Sequence, residues 1–143
     1  MFNLLIGIGV LTGIVLLWFL FTYWLNPHVE SPDGKARVTG SCGDTMEISL
    51  KFRDDRVTEC AYWTDGCAYS LNCVCAAADL AKGKTPDEIL EIDPELIGRS
   101  VGGLPADHMH CARLSVETLY AALEDYMKNA RQVKRPSQEG LES

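Results

Sequence analysis

The chain has 143 residues and a net charge of −7, with 13 Lys and Arg against 20 Asp and Glu. This length supports one domain of ordinary size, and the acidic charge argues against nucleic acid as a partner, because phosphate binding needs a basic surface. Every charged residue lies from Glu30 onward. The uncharged beginning of the chain and the charged remainder are therefore two physically different parts.

The beginning of the chain, residues 1–25, is predicted to be a transmembrane anchor. Residues 4–25 contain neither a charge nor a proline, and at ~1.5 Å of rise per residue a helix of this length spans the ~30 Å hydrocarbon core of a bilayer. Trp18, Tyr23 and Trp24 lie toward its end, where amphipathic rings favour the membrane boundary. A cleavable signal peptide is not expected, because a basic start and a small-residue cleavage site are both missing.

The basic residues predict the orientation of this anchor. No Lys or Arg precedes it, whereas Lys35 and Arg37 follow it closely. Because an excess of basic residues marks the cytoplasmic side, we expect a single-pass protein of the cell membrane with its soluble domain on the cytoplasmic side. Residues 26–37, which contain prolines and a glycine, are predicted to be a linker.

The soluble part, residues 38–131, is predicted to be one α+β domain. Residues 46–53 alternate between apolar and polar side chains, which is typical of a strand with one solvent-exposed face. Asp54 and Asp55 favour a turn, and residues 57–63 are predicted to be the second strand of a hairpin. Because strands come first and helices afterwards, we expect a small antiparallel sheet packed against helices on one side.

Helical segments are predicted after the hairpin. The first covers residues 67–82. Residues 85–88, Thr-Pro-Asp-Glu, have the pattern of a helix start with a threonine cap, a proline in the first position and a glutamate reaching back. Residues 93–94, Asp-Pro, indicate another short helix. The last helix is predicted over residues 111–130, followed by a disordered polar tail over residues 132–143.

Cysteines lie where one predicted element meets the next. Cys42 precedes the first strand, Cys67 follows the second strand, and Cys111 begins the last helix. A thiol at a helix start meets the positive end of the helix dipole, which favours the thiolate form that binds metals. With Asp44 or His110 nearby, the three thiolates would supply the four ligands that iron–sulfur clusters and tetrahedral zinc both require. Both kinds of site agree with these residues.

Four short segments, taken together, resemble a known family. They are Gly40-Ser41-Cys42-Gly43-Asp44, Thr64-Asp65-Gly66-Cys67, Lys82-Gly83-Lys84 and His110-Cys111-Ala112. In this order and at these separations they are similar to the scaffold family of iron–sulfur cluster assembly, the IscU proteins and the N-terminal domain of NifU. The similarity covers roughly residues 38–130, and Gly-Gly-Leu-Pro at residues 102–105 further resembles a branch of stand-alone NifU-like proteins.

The resemblance implies a scaffold that holds a transient [2Fe–2S] cluster and is not itself an enzyme. Its ligands would be Cys42, Cys67 and Cys111, with Asp44 or His110 in the fourth position. Sulfur would arrive as a persulfide from a cysteine desulfurase, with Cys111 as the candidate acceptor, and the cluster would pass to apo iron–sulfur proteins. An oxygen or imidazole in place of a fourth thiolate suits a scaffold, because the softer attachment eases release.

The chain departs from the family in its membrane anchor, in one motif and in its additional cysteines. Residues 104–108 are Leu-Pro-Ala-Asp-His. They lack the lysine of the family motif that a dedicated chaperone recognises, so chaperone-driven release is not predicted. His108 is interpreted as an exposed loop residue. Cys60, Cys73 and Cys75 are interpreted as small buried residues.

Two other functions agree with the same residues. One is a structural or regulatory zinc protein, which would be colourless, whereas a cluster absorbs visible light. The other is a membrane-tethered electron carrier, which would keep a permanent cluster in the presence of an apo-acceptor. The sequence predicts neither the recipient proteins nor the oligomeric state.

Overall fold

A computed structural model describes residues 1–25 and 29–134 of the chain. Its elements in chain order are α1 (Phe2–Leu25), β1 (Gly34–Thr39), β2 (Thr45–Arg53), β3 (Arg56–Thr64), α2 (Ala68–Ala81), α3 (Pro86–Ile89), α4 (Pro94–Ser100), a 3-10 turn (Ala106–His108) and α5 (Met109–Lys134). The strands form one antiparallel sheet in the order β1-β2-β3. The predicted α+β class with an antiparallel sheet is confirmed.

The sheet has one face against helices and one face open, because apolar and polar residues alternate along β2. Met46, Ile48 and Leu50 are fully buried, whereas Glu47 on the opposite face forms an ion pair with Arg37. Helix α5 packs against β1 and β2, and α2 packs against β3 and α5. Helices α2 and α5 therefore close the core from the same side, as predicted.

The structure differs from the sequence prediction at the first strand. Residues 26–37 were predicted to be a linker, but residues 34–37 belong to β1, which pairs with β2 along its whole length. A Cβ on Gly34 would collide with the carbonyl oxygen of Ala122, so a glycine allows β1 to approach α5. Contacts with a helix so distant in sequence leave no local pattern. Residues 26–28 lie outside the described residues.

The caps of the two short helices are as predicted, whereas α5 extends beyond its predicted bounds at both ends. Thr85 and Glu88 form the capping box of α3, and the Asp93 side chain caps α4, as expected from the sequence. Helix α5 begins at Met109, slightly earlier than predicted, and includes residues 132–134 of the predicted tail. The remainder of that tail lies outside the described residues.

Helix α1 is long and apolar enough to cross a membrane. Its segment Phe2–Trp24 has 23 residues and a mean hydropathy of 2.6, and none of it is buried inside the protein. A helix that packed in a soluble core would bury at least one face. Its length and composition therefore fit a membrane span.

Candidate metal site

Three groups that are far apart in sequence meet at one end of the domain. A carboxylate oxygen of Asp44, Sγ of Cys67 and Sγ of Cys111 all lie within 4.8 Å of one another. Asp44 directly precedes β2, Cys67 directly precedes α2, and Cys111 lies in the first turn of α5. The element boundaries thus bring one carboxylate and two thiols, all of them ligand candidates from the sequence, to a common point.

The segment Asp65-Gly66-Cys67 holds this arrangement through separate contacts. Asp65 Oδ1 accepts a hydrogen bond of 2.7 Å from the N–H of Thr45, which ties the end of β3 to the start of β2. Gly66 leaves room for Asp44, because a Cβ on Gly66 would lie 2.6 Å from the carboxylate oxygen Oδ2. Cys67 is the N-cap residue of α2. Each residue of this segment therefore has its own structural role at the site.

Ser70, which the sequence analysis did not single out, lies among the candidate ligands. Its side chain is fully buried, and its hydroxyl donates a hydrogen bond to the Asp44 carboxylate. The same hydroxyl lies 3.4 Å from Cys111 Sγ and 3.7 Å from Cys67 Sγ. The sequence contained one local indication that Ser70 lies near Cys67. Residues three apart lie on the same side of a helix, and Ser70 follows Cys67 at that spacing.

The two thiols of the site differ in their tendency to ionise. Cys67 is exposed; the backbone N–H of Ser70, followed by its hydroxyl, stabilises the thiolate and lowers the pKa of Cys67. Cys111 is fully buried, and burial raises the pKa of Cys111, opposed by the Ser70 hydroxyl and reinforced by the negative charges of Cys67 and Asp44. A bound cation would offset this repulsion, so metal binding and thiol deprotonation are coupled here.

Cys42, the third predicted thiolate ligand, lies in the exposed turn between β1 and β2. A hydrogen bond of 3.0 Å from the N–H of Gly43 to the carbonyl of Gly40 closes this turn. Within the described residues, Cys42 belongs to neither group of closely spaced ligand atoms. The chain reverses between two antiparallel strands here, and that tight reversal leaves the Cys42 side chain in solvent.

Two histidines lie on the other side of Cys111. His110 Nδ1 is 2.8 Å from the carbonyl oxygen of Asp107, and His110 Nε2 is 3.4 Å from Cys111 Sγ. A ring nitrogen of His108, one of His110 and Cys111 Sγ form a second group, with all three atoms within 4.8 Å of one another. His108 is half-buried and stacks on Tyr69 with 4.0 Å between ring centroids. Its interpretation as an exposed loop residue is therefore wrong.

The other cysteines belong to neither ligand group within the described part of the chain. Cys60 and Cys73 are buried, and burial raises the pKa of each to about 12, which confirms their interpretation as core residues. Cys75 differs because it is only half-buried, and its Sγ lies 3.3 Å from the hydroxyl of Tyr62. Because a metal binds the thiolate form, the raised pKa values of Cys60 and Cys73, together with their distance from the other ligand atoms, argue against a ligand role for these two residues.

Comparison with known proteins identifies relatives along most of the chain. Residues 28–133 match the family described as the NifU-like N terminal domain. The iron–sulfur cluster assembly scaffold protein IscU 1 of Archaeoglobus fulgidus is 34% identical over 128 residues, which cover 86% of this chain and 84% of that protein. The scaffold protein IscU of Aquifex aeolicus is 28% identical over 122 residues, which cover 80% of this chain and 78% of that protein.

A solved structure shows the same fold. The crystal structure of an N-terminal NifU-like protein from Brucella abortus superimposes with a TM-score of 0.55 and 21% sequence identity, covering 70% of this chain and 83% of that one. The residues that match this family extend from β1 into α5 and include all the candidate ligands. The chain belongs to the NifU-like N-terminal domain family.

Proposed function

We propose that this protein is a scaffold on which an iron–sulfur cluster is assembled and from which the cluster is passed to apo-proteins. The meeting of Asp44, Cys67 and Cys111 within 4.8 Å carries this proposal, in a family whose members include proteins named as cluster assembly scaffolds. Thiolates suit iron–sulfur clusters. A carboxylate among them is a harder ligand, which suits a cargo that has to leave. The scaffold itself would catalyse no turnover.

For a [2Fe–2S] cluster, the proposed thiolate ligands are Cys42, Cys67 and Cys111. Cys42 would join the set by a movement of its turn, in which the Cys42 side chain is exposed. Asp44 is favoured over His110 for the fourth position, because its carboxylate already groups with both Cys67 and Cys111. His110 groups with Cys111 but not with Cys67.

Sulfur is proposed to enter as a persulfide from a cysteine desulfurase, at Cys67 rather than at Cys111. The sequence favoured Cys111 as an exposed nucleophile, but Cys111 is buried and burial raises its pKa. Cys67 is exposed and its pKa is lowered. The Cys67 thiolate would attack the outer sulfur of the desulfurase persulfide, so that the old S–S bond breaks, a new one forms on Cys67, and the desulfurase thiolate leaves.

The protein is further proposed to be a single-pass membrane protein with its domain on the cytoplasmic side. The length and mean hydropathy of α1 support the span, and Lys35 and Arg37 after it support the orientation. A membrane-impermeant thiol reagent added to intact cells should leave the exposed Cys42 and Cys67 unmodified until the cells are lysed. Modification before lysis would contradict the orientation.

The deciding experiment is anaerobic reconstitution of the full-length protein in detergent, followed by incubation with an apo-ferredoxin. We expect visible charge-transfer absorption in the reconstituted protein and its later appearance in the ferredoxin. A colourless protein that retains zinc would support the zinc alternative. A cluster that stays bound would support the electron-carrier alternative.

Ligand variants refine this experiment. Cys67→Ser should abolish or grossly weaken reconstitution, whereas Cys60→Ala should leave the absorption spectrum nearly unchanged, because Cys60 is a core residue. Mass spectrometry after incubation with a desulfurase and cysteine should find the persulfide on Cys67. A persulfide on Cys111 while Cys67 is intact would return the acceptor role to Cys111.

A further inference from the structure

The open face of the sheet lies beside the segment that joins the domain to α1. Residues 29–32 of this segment line one side of a groove. The sheet residues that line the same groove include Lys35, Arg37, Glu47, Ser49 and Trp63. The Lys51 ammonium donates a hydrogen bond of 2.9 Å to the carbonyl oxygen of Glu30. The segment therefore lies against the open face before the chain enters β1.

The length of the chain leaves little distance between this face and the end of α1. Helix α1 ends at Leu25, and Val29 already lines the groove, so four Cα–Cα steps separate them. A fully extended chain covers at most ~3.6 Å per residue, which gives about 14 Å in all. The headgroup layer at the end of a membrane span is itself about 5–8 Å thick. The groove beside Val29 therefore has to lie within that layer or directly next to it.

The side chains on this face suit the boundary between membrane and water. Trp63 is 47% exposed, and the Arg37 guanidinium lies 5.1 Å from the centre of its ring. Tryptophan is enriched at this boundary, and arginine binds phosphate groups. Lys35 and Arg37 share a single carboxylate, that of Glu47, at 2.9 and 2.8 Å. One positive charge of this group is therefore left over, and a lipid phosphate can balance it.

The distribution of charge favours this face over the rest of the domain. The open face and the segment beside it carry three basic and three acidic side chains, namely Lys35, Arg37, Lys51, Glu30, Glu47 and Glu59. This group is neutral, whereas the whole chain carries a net charge of −7. The remaining residues therefore carry all of the negative charge, which the anionic headgroups of a membrane repel.

We propose that the open face of the sheet docks on the headgroup layer of an anionic lipid bilayer, with Trp63 at the boundary. The proposal rests on the proposed membrane span of α1 and is independent of cluster assembly. Docking by this face turns the helix side of the domain away from the bilayer. Because Cys67 and Cys111 lie at the starts of α2 and α5, partners that deliver sulfur or accept a cluster would then reach the site from the aqueous side.

The test measures how close a single tryptophan lies to the lipid headgroups. The full-length protein is reconstituted into vesicles of phosphatidylcholine and phosphatidylglycerol that carry a nitroxide quencher on the headgroup. Because the chain has three tryptophans, Trp18→Phe, Trp24→Phe leaves Trp63 as the only one. We expect the nitroxide to quench the fluorescence of Trp63, compared with vesicles that lack it.

The matched control moves the tryptophan to the helix side of the domain. Adding Trp63→Phe and Leu90→Trp places it directly after α3, at a position that is 53% exposed. The nitroxide should change the fluorescence of this variant little. Circular dichroism of each variant in the same vesicles checks folding.

A charge variant tests the contribution of the basic side chains. Each Lys near an anionic surface contributes about 1 kcal/mol, so Lys35→Gln should lower the ratio of docked to undocked protein about fivefold. Lys82→Gln removes a lysine of similar exposure that pairs with Asp79 at the end of α2, and it should leave the quenching of Trp63 unchanged.

The possible outcomes distinguish docking from the other occupants of this face. Equal quenching of Trp63 and of the tryptophan at residue 90 would overturn the proposal, because the domain would then have no preferred face. Protein that floats with the vesicles while Trp63 is not quenched would also overturn it, and a Trp63 signal that varied with the protein-to-lipid ratio would identify a second copy as the occupant. Protein that does not float with the vesicles would overturn the membrane span together with the docking.

Discussion

The hydroxyl of Ser70 donates a hydrogen bond to the carboxylate of Asp44, although 26 residues separate them in the chain. Ser70 lies in the first turn of α2 and Asp44 directly precedes β2, so this bond joins the helix to the sheet at the candidate site. A hydroxyl has one proton to donate, and here it faces a carboxylate and the sulfurs of Cys67 and Cys111. Ser70 therefore ties Asp44 to α2, and the sulfurs of Cys67 and Cys111 lie beside the same hydroxyl oxygen.

Replacing Ser70 should slow the reaction of Cys67 with thiol reagents. The Ser70 hydroxyl is one of the groups that lower the pKa of Cys67, after the Ser70 backbone N–H, which the substitution retains. The contact is 3.7 Å long, Cys67 is exposed, and the hydroxyl proton is donated to Asp44. Its effect is therefore smaller than the ~1 kcal/mol of a full hydrogen bond, and Ser70→Ala should slow iodoacetamide alkylation of Cys67 at neutral pH by roughly twofold. Peptide mass spectrometry over a time course gives the rate.

Ser115→Ala is the matched control for this substitution. Ser115 is also fully buried, but its hydroxyl donates to the carbonyl of Ala112 within its own helix. Its removal should not change the alkylation rate of Cys67. The assignment of Ser70 fails if both variants slow the reaction equally, or if Ser70→Ala leaves the rate unchanged.

A side chain at Gly66 should destabilise the protein, because Asp44 and Ser70 occupy the space where a Cβ would lie. The added methyl group of Gly66→Ala would meet Asp44 Oδ2 at 2.6 Å and Ser70 Cβ at 2.7 Å. We expect overpacking to destabilise the protein by about 1–3 kcal/mol and to lower the amount of cluster that it reconstitutes. Urea unfolding and visible absorption measure the two effects.

Gly98→Ala separates this clash from the general effect of adding a methyl group. Gly98 lies in α4, and the nearest side-chain atoms to its Cβ would be at 3.8 Å, which is an ordinary contact. Alanine in a helix is more favourable than glycine by roughly 0.5–1 kcal/mol, so this variant should be slightly stabilised. A loss of stability equal to that of Gly66→Ala would show that the close approach of Asp44 is not the cause.

The buried thiols of Cys60 and Cys73 should make the protein less stable at alkaline pH. Burial raises their pKa from 9.0 to about 12, so between pH 9 and 12 the unfolded chain loses protons that the folded protein keeps. Stability is then fully present below pH 9 and falls as the pH rises, by up to ~1.4 kcal/mol per pH unit for each thiol. The free energy of unfolding at several pH values, under reducing conditions, measures this slope.

The double variant Cys60→Ala, Cys73→Ala should show a shallower decline of unfolding free energy across this range. Its absolute stability will also differ because core volume is lost, and for that reason the slope is the informative quantity. Cys42→Ala, which removes an exposed thiol, should retain the slope of the parent protein. An unchanged slope in the double variant would contradict the assignment to these thiols.

Local sequence patterns predicted the elements whose cause is local. The alternation of apolar and polar residues along β2 predicted which face of the strand is buried. The capping box of Thr85 and Glu88 predicted where α3 begins. Strand β1 was missed because its conformation depends on pairing with β2 and on the close approach of Gly34 to α5. Strand β1 does alternate, but only Ala36 and Val38 are apolar in it, and this run is too short to predict a strand by itself.

The candidate site was predicted in its residue types but not in its geometry. Positions at element boundaries predicted that Cys42, Cys67 and Cys111 would meet with Asp44 or His110. Of these, Asp44, Cys67 and Cys111 form one close group, whereas Cys42 belongs to neither group of ligand atoms among the described residues. The burial of Cys111 was not predictable, because a helix start has no fixed exposure until the other elements pack on it. Ser70 was missed for a similar reason, since its contacts with Asp44 and Cys111 cross 26 and 41 residues.

Asp44 should govern how readily a cluster leaves the protein. Its carboxylate is the oxygen donor beside two thiols, and it can take up a proton as the cluster departs. The cluster bound to Asp44→Ala should therefore survive longer than the cluster bound to the parent protein. Its transfer to an apo-ferredoxin should be slower. Because the substitution leaves the buried Ser70 hydroxyl without its carboxylate partner, at a cost of about 1–3 kcal/mol, Asp44→Ala, Ser70→Ala is the control for folding. Transfer rates are compared at equal cluster content, and equal rates for parent and Asp44→Ala would remove Asp44 from the release step.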